Sequence, residues 1–272
     1  MTHIIYTREF ITRIGNNRYD LSKNEIIELT KLHSIFPKRD ITANTWRAPV
    51  EVIQQKEPTT DLMRLMNSYL NKLSHKNYNK ILESILECLD KSPILIDALL
   101  NNIFEKAILQ TGYCGIYAQL CTHINDKYPL KELLLNKCMS LYDCAKTTVV
   151  PNPEVNYDAF CNYMSEKTKY VGNFQLIGEL YKYDLIGVDI LQTYIKLLME
   201  DMNITSTNPE VIAVIEKYCE SFCKLIKTVG KKLSADKTVD INELYLTNLK
   251  KMAKNKTFCN RIRFMFQDIL DL

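Results

Sequence analysis

Glycine and proline are scarce in this sequence, with 7 and 8 residues respectively among 272. Folds built from β-hairpins and tight turns use more of both, because turns need the backbone conformations that these residues favour. Their scarcity therefore favours an all-α protein. Apolar residues make up 46% and charged residues 25%, as in an ordinary globular domain. The net charge of +3 is too small to require a nucleic-acid partner.

The sequence also lacks an apolar run long enough to span a bilayer, so we expect no transmembrane helix. Arg8 and Glu9 interrupt the apolar residues near the N-terminus, which argues against a secretory signal there. The nine cysteines have no paired or regular spacing, and an odd count argues against a disulfide framework. We therefore expect reduced, mostly buried thiols in a cytoplasmic protein.

Motifs for catalysis and cofactor binding are missing as well. No G-x-x-x-x-G-K-[ST] or G-x-G-x-x-G segment is present to hold phosphates, and no C-x-x-C pair is present for zinc or redox chemistry. Cys114, Cys121 and His123 are close in sequence, but they fit apolar stripes, so the two cysteines are interpreted as buried thiols. His123, at a helix end, is interpreted as a solvated or capped histidine. We predict a non-enzymatic protein without cofactor or metal. An RNA-modifying or hydrolytic enzyme is the competing class, because catalytic groups can converge in three dimensions.

The chain divides near residue 60. Residues 1–60 show little sustained periodicity, and Pro37, Pro49 and Pro58 interrupt them, so we predict an extended arm that orders on a partner. Over residues 61–272, apolar residues recur at helical spacing with short links between the segments. This region is predicted to form one domain of about ten amphipathic helices.

The predicted helices form pairs that recur about every 40 residues, close to the period of HEAT repeats. A HEAT-repeat α-solenoid is therefore the predicted architecture, and an irregular helical bundle is the alternative. Ser74 is interpreted as the cap of the second helix, Gly172 as the start of a later one and Gly230 as the end of another.

The last predicted helix, from about 257 to 270, has an apolar residue on its polar side. Its core-facing stripe contains Ile262, Met265, Phe266 and Ile269. At 100° per residue, Phe264 points about 160° away from the centre of that stripe. We therefore predict that a further element or a partner covers Phe264.

Six segments of the helical region are distinctive: LNKLSHKNY (70–78), IFEKAILQTGYCGIYAQLC (103–121), LLLNKC (133–138), VGNFQLIGELYKYDLI (171–186), CKLIKTVGKKL (223–233) and NRIRFMFQDILDL (260–272). In this order, they resemble the middle domain of eukaryotic initiation factor 4 gamma. In the arm, TANTWRAP (42–49) resembles the Trp-Pro segment upstream of that domain. YTREFIT (6–12) resembles the family's cap-binding-protein motif, with Ile11 in place of Leu and Thr12 in place of the last apolar residue.

The resemblance implies a translation initiation scaffold of the HEAT-repeat type. In the family, the helical domain binds a DEAD-box RNA helicase at two places, one on each helicase lobe, and raises its activity. The N-terminal motif binds the cap-binding protein, so that the helicase reaches capped mRNA. A related scaffold of mRNA decay or nuclear cap binding is the alternative, and the two terminal motifs favour initiation. We expect a minimal viral or protist version of the family.

The resemblance also implies site residues. For the cap-binding protein they are Tyr6, Arg8, Phe10 and Ile11. For the helicase they are Trp46, Leu70, Leu73, Tyr78, Arg261, Arg263 and Phe264. Packing within the chain's own domain is the alternative interpretation for the apolar members of both sets. Two lysine clusters are predicted either to contact mRNA phosphates or to lie on solvated helix faces. They are Lys224, Lys227, Lys231 and Lys232, and Lys250, Lys251, Lys254 and Lys256.

Overall fold

A computed structural model describes residues 58–144, 150–203 and 209–271, all within one compact unit of the chain. The described residues form ten α-helices and no β-strand. The first five helices are α1 (Pro58–Lys72), α2 (Tyr78–Lys91), α3 (Ile96–Leu109), α4 (Cys114–Asn125) and α5 (Lys131–Cys144). The next five are α6 (Tyr157–Lys182), α7 (Val188–Met202), α8 (Pro209–Ala235), α9 (Thr247–Lys254) and α10 (Asn260–Leu270).

Consecutive helices form five contacting pairs, from α1–α2 to α9–α10. The second helix of each pair also contacts the second helix of the next pair, so α2, α4, α6, α8 and α10 form one continuous layer. Stacked helix pairs of this kind bury a continuous core although no single pair could bury its apolar face alone. The arrangement confirms the predicted all-α solenoid of HEAT type. No described helix is both long enough and apolar enough to cross a membrane.

Aromatic side chains fill the core where α5, α6, α7 and α8 meet. The rings that contact one another there belong to Tyr142, Tyr170, Phe174, Tyr194 and Tyr218. Lys217 is only 1% exposed among them, and its Nζ lies 4.8 Å from the centroid of the Tyr170 ring. Burial lowers the pKa of Lys217 to about 8, because the charged ammonium loses hydration. The tyrosine faces partly replace that hydration through cation–π attraction.

Two glycines that were predicted to bound helices lie inside them. The α6 helix continues through Gly172, and a Cβ added there would lie 1.9 Å from the carbonyl oxygen of Ile108 on α3. Glycine is required at this position by the close approach of two helices and not by a helix start. Gly230 lies within α8, where an added Cβ would have open space. Tertiary contacts along α8 therefore override the weak helix propensity of Gly230.

Two predicted helix starts are also corrected. The N-cap residue of α2 is Asn77, and Ser74 lies one turn earlier, where its backbone N–H and its hydroxyl donate to Asn77 Oδ1 at 2.8 and 2.9 Å. These bonds close the turn between α1 and α2. The last helix starts at Asn260, three residues after the predicted Thr257.

Candidate partner-binding surfaces

The terminal helix α10 carries an apolar side chain that no other described residue covers. Phe264 is 70% exposed. The opposite side of the helix packs into the core through Ile262, Phe266 and Ile269. The predicted orientation of Phe264 is therefore confirmed. An exposed phenyl ring on an ordered helix can serve as an anchor for a partner.

Two ion pairs flank Phe264 and hold α10 against α8. The Arg261 guanidinium donates to Glu220 Oε1, and Lys227 Nζ lies 2.9 Å from Asp268 Oδ2. Glu220 also accepts from Lys167 Nζ of α6 at 2.8 Å, and its side chain is 15% exposed. One carboxylate therefore ties three helices together. Bonding to Glu220 raises the pKa of Arg261, which remains charged and oriented beside the exposed ring.

The structure separates Arg263 from the other two predicted residues of α10. At 100° per residue, Arg261 and Phe264 lie about 60° apart around the helix axis, whereas Arg263 lies about 100° beyond Phe264. The Arg263 Nε donates to the Ala253 carbonyl oxygen of α9 at 3.2 Å. Arg263 thus fastens α10 to the end of α9, and Arg261 and Phe264 form the exposed face.

At the opening end of the solenoid, the predicted helicase residues are buried. Leu70, Leu73 and Tyr78 are 1%, 5% and 7% exposed and belong to the core. The Tyr78 hydroxyl is 2.6 Å from Nδ1 of His123, which joins α2 to α4. These side chains stabilise the α1–α2 junction, so a partner at this end has to contact exposed neighbours.

Such neighbours line a depression of about 550 Å³ beside the junction. Leu70 and Leu73 contribute to its lining from the core. Leu109 and Tyr113 also line it, and their side chains are 50% and 53% exposed. We call this site the Tyr113 depression. Sequence reasoning missed Leu109 and Tyr113, although a signal was present. Leu109 lies outside the buried stripe of α3, and Tyr113 follows the glycine that breaks the helical pattern.

The lysine clusters are less uniform than their sequence suggests. Lys232 Nζ is bound to Asp184 Oδ1 at 2.5 Å and to the Tyr181 carbonyl at 2.9 Å, and Lys224 is half-buried. Lys227 pairs with Asp268. The remaining predicted lysines are exposed: Lys231, Lys250, Lys251, Lys254 and Lys256. These five are the stronger candidates for phosphate contacts.

The structure confirms that the two cysteines near His123 are buried groups. Cys114 and Cys121 are fully buried in the core, and burial raises the pKa of each to about 12. Within the part of the chain that the structure describes, no group of three or more His, Cys, Asp or Glu side chains could hold a metal ion.

The predicted site residues of the arm lie outside the described residues. They are Tyr6, Arg8, Phe10, Ile11 and Trp46.

The sequence is similar to known translation factors over most of its length. It is 25% identical over 228 residues to eukaryotic translation initiation factor 4G of Triticum aestivum, which covers 77% of this chain and 15% of the relative. With eukaryotic translation initiation factor 4 gamma 3 of Homo sapiens, the identity is 24% over 282 residues, covering 90% of this chain and 17% of the relative. With initiation factor 4 gamma 2 of Mus musculus, it is 24% over 246 residues, covering 80% and 26%.

The chain thus spans about a quarter or less of the length of these relatives. A protein-family comparison matches residues 63–272 to the MIF4G domain. The matched range includes both candidate surfaces, the Tyr113 depression and the exposed face of α10. By this match, the chain belongs to the MIF4G domain family.

Proposed function

We propose that this chain is a scaffold of translation initiation that acts in the cytoplasm. It binds and stimulates a DEAD-box RNA helicase and links it to a cap-binding protein and to mRNA. The observation that carries the proposal is the MIF4G match over residues 63–272, together with relatives that are named as initiation factors. The two exposed apolar surfaces on the matched region support it, because a scaffold needs separate contacts for its partner.

The first proposed helicase contact is at the Tyr113 depression. Leu109 and Tyr113 offer apolar surface there, and burial of such surface on association is favourable by about 25 cal/mol per Å². Leu70 and Leu73 support the depression from the core side. The Tyr78–His123 hydrogen bond fixes the α2–α4 packing behind it, so the surface is ordered before the partner arrives.

The second proposed contact is the face of α10 that carries Arg261 and Phe264, with Arg263 in the supporting position. A scaffold can favour one relative arrangement of two helicase lobes only if it binds that arrangement better than the others. A difference of about 1–3 kcal/mol between arrangements is enough for strong stimulation. The Tyr113 depression is proposed to supply most of the affinity, and Phe264 most of the discrimination.

The remaining partners are proposed for the arm and for the exposed lysines. Tyr6, Arg8, Phe10 and Ile11 are proposed to contact the cap-binding protein as an amphipathic helix, and Trp46 to contact the helicase. The lysines of α8 and α9 that remain exposed are proposed to contact mRNA phosphates: Lys231, Lys250, Lys251 and Lys254. Lys224, Lys227 and Lys232 are weaker candidates, because two of them are paired and one is half-buried.

Calorimetric titration with the purified DEAD-box helicase of initiation factor 4 tests the proposal. The wild-type chain should bind, and Leu109→Asp combined with Tyr113→Asp should reduce the affinity at least tenfold, about 1.4 kcal/mol or more. Both side chains are exposed, so the variant should keep the wild-type circular dichroism and melting temperature.

The matched control is Ile94→Asp, which places the same charge at another exposed apolar position, 80% accessible to solvent. This variant should bind the helicase like the wild type. Absence of wild-type binding would refute the scaffold assignment. Equal binding by the double variant and the wild type would move the first contact away from the Tyr113 depression.

A further inference from the structure

The N-terminal part of α6, with the turn before it, exposes apolar side chains that neither proposed helicase contact uses. Val155 and Tyr157 are 83% and 68% exposed, and Met164 is 41% exposed. Nine large apolar side chains are exposed in the part of the chain that the structure describes, and these three fall within ten residues of one another. Exposed apolar residues that cluster mark an interaction site more often than scattered single residues do.

These side chains form a second apolar face on the helix. Tyr157, Cys161 and Met164 are spaced i, i+4, i+7, so they lie within about 60° of one another around the axis. The side of α6 that enters the core carries Tyr163 and Tyr170, which are buried. At 100° per residue, that side is centred about 140° away from the exposed face. The exposed residues therefore are not the edge of the core stripe.

The charges beside this face are negative. Glu154 and Asp158 are exposed, and within the described ranges neither takes part in an ion pair. The two nearest lysines of α6 are already ion-paired, and Lys167 shares its carboxylate with Arg261. Lys167 lies 2.8 Å from Glu220, and Lys169 lies 2.7 Å from Glu166. Cations on a partner would therefore be attracted, and nucleic-acid phosphates would be repelled.

We propose that this surface docks a basic amphipathic helix of a protein partner. We define it as the α6 face: Glu154, Val155, Tyr157, Asp158, Cys161 and Met164. From Tyr157 to Met164 its apolar residues extend about 10 Å along the axis of α6, which suits a partner helix with anchors at i, i+3 or i+4, and i+7. Lysine or arginine residues on the flank of that helix pair with Glu154 and Asp158. The α6 face shares no residue with the proposed helicase or mRNA contacts, so it serves an additional partner.

Fluorescence anisotropy with the whole chain under reducing conditions tests this proposal. The probe is a labelled Leu/Lys peptide of about four helical turns, roughly 14 residues, with leucines on one face. The expected result is saturable binding that weakens with added salt. Tyr157→Ser combined with Met164→Ser should weaken it at least fivefold, and Asp158→Lys should weaken it and reduce its salt dependence.

Ile94→Ser is the matched control, because Ile94 is an exposed apolar residue elsewhere and its loss should leave the peptide affinity unchanged. A Leu/Glu peptide of the same pattern and a single-stranded RNA should not compete with the probe. No saturable binding, an unchanged affinity in the Tyr157–Met164 variant, or competition by the acidic peptide would each overturn the proposal.

Discussion

A close approach of two helices gives a sharp stability prediction. Gly172 of α6 lies against α3, and an added methyl group would lie 1.9 Å from the Ile108 carbonyl oxygen and 2.7 Å from its carbon. Both atoms are backbone, so no side-chain rotation can relieve the overlap. Gly172→Ala therefore requires the two helices to move apart by roughly 1.5 Å, which loosens their mutual packing.

The expected change in the free energy of unfolding follows from two opposing effects. Overpacking a close-packed core costs about 1–3 kcal/mol and more where backbone must move, whereas replacing glycine by alanine inside a helix stabilises it by about 1 kcal/mol. With a backbone clash this short, we expect a net loss of at least about 2 kcal/mol. For a domain of this size, that loss lowers the melting temperature by about 4–8 °C. Thermal and urea unfolding followed by circular dichroism measure it.

Gly230→Ala is the matched control, because the same substitution in α8 meets open space. Here only the helix-propensity effect remains, and the variant should be more stable than the wild type by about 0.5–1 kcal/mol. If the two variants have the same stability, or if Gly172→Ala melts at or above the wild-type temperature, the α3–α6 crossing described here is wrong.

Three further predictions concern the arm, the ion pairs and the thiols. A peptide of residues 1–20 should bind the cap-binding protein in a calorimetric titration. Tyr6→Ala should make its binding free energy less favourable by more than about 1.4 kcal/mol. Equal affinities of the two peptides would refute the assignment of the motif. In urea unfolding, Glu220→Gln should lower the free energy of unfolding by about 1–3 kcal/mol, because it leaves two cations without their partner. Glu166→Gln, which alters a more exposed ion pair, should lower it by less than about 0.5 kcal/mol. With an aromatic disulfide reagent, only exposed thiols should react promptly in the native protein, and all nine should react after unfolding. The prompt thiols should be Cys144, Cys161 and Cys259. Buried thiols should react slowly even when the pH rises to about 9, since burial raises the pKa of several of them to about 12. A prompt reaction of these buried thiols would contradict the core that the structure describes.

Much of the fold follows from the 3.6-residue period of apolar residues. That period predicted the all-α class, the number of helices and the exposed position of Phe264, because each depends only on which residues share a helix face. The helix pairing was also predictable, since links of a few residues force neighbouring helices to be antiparallel.

The features that failed depend on tertiary contacts. The sequence pattern cannot distinguish a glycine that bounds a helix from one that lies inside it. Gly172 was interpreted as a helix start and Gly230 as a helix end, whereas both lie within helices. Leu70 and Leu73 continue an apolar stripe whether or not a partner covers them, so the sequence left both roles open, and the structure buries both in the core. The sequence could not predict that Glu220 joins three helices, because Lys167 and Arg261 are 53 and 41 residues away from it along the chain.

The most direct test of the scaffold account is the RNA-dependent ATPase rate of the DEAD-box helicase, measured with saturating wild-type chain and with Phe264→Ala. Phe264 is exposed and makes no core contact, so the variant should fold normally and keep most of its helicase affinity. We expect clear stimulation by the wild type and loss of most of it in the variant, because the second lobe contact is missing. Stimulation by the variant equal to that of the wild type would contradict the two-contact mechanism, and no stimulation by either would contradict the scaffold function itself.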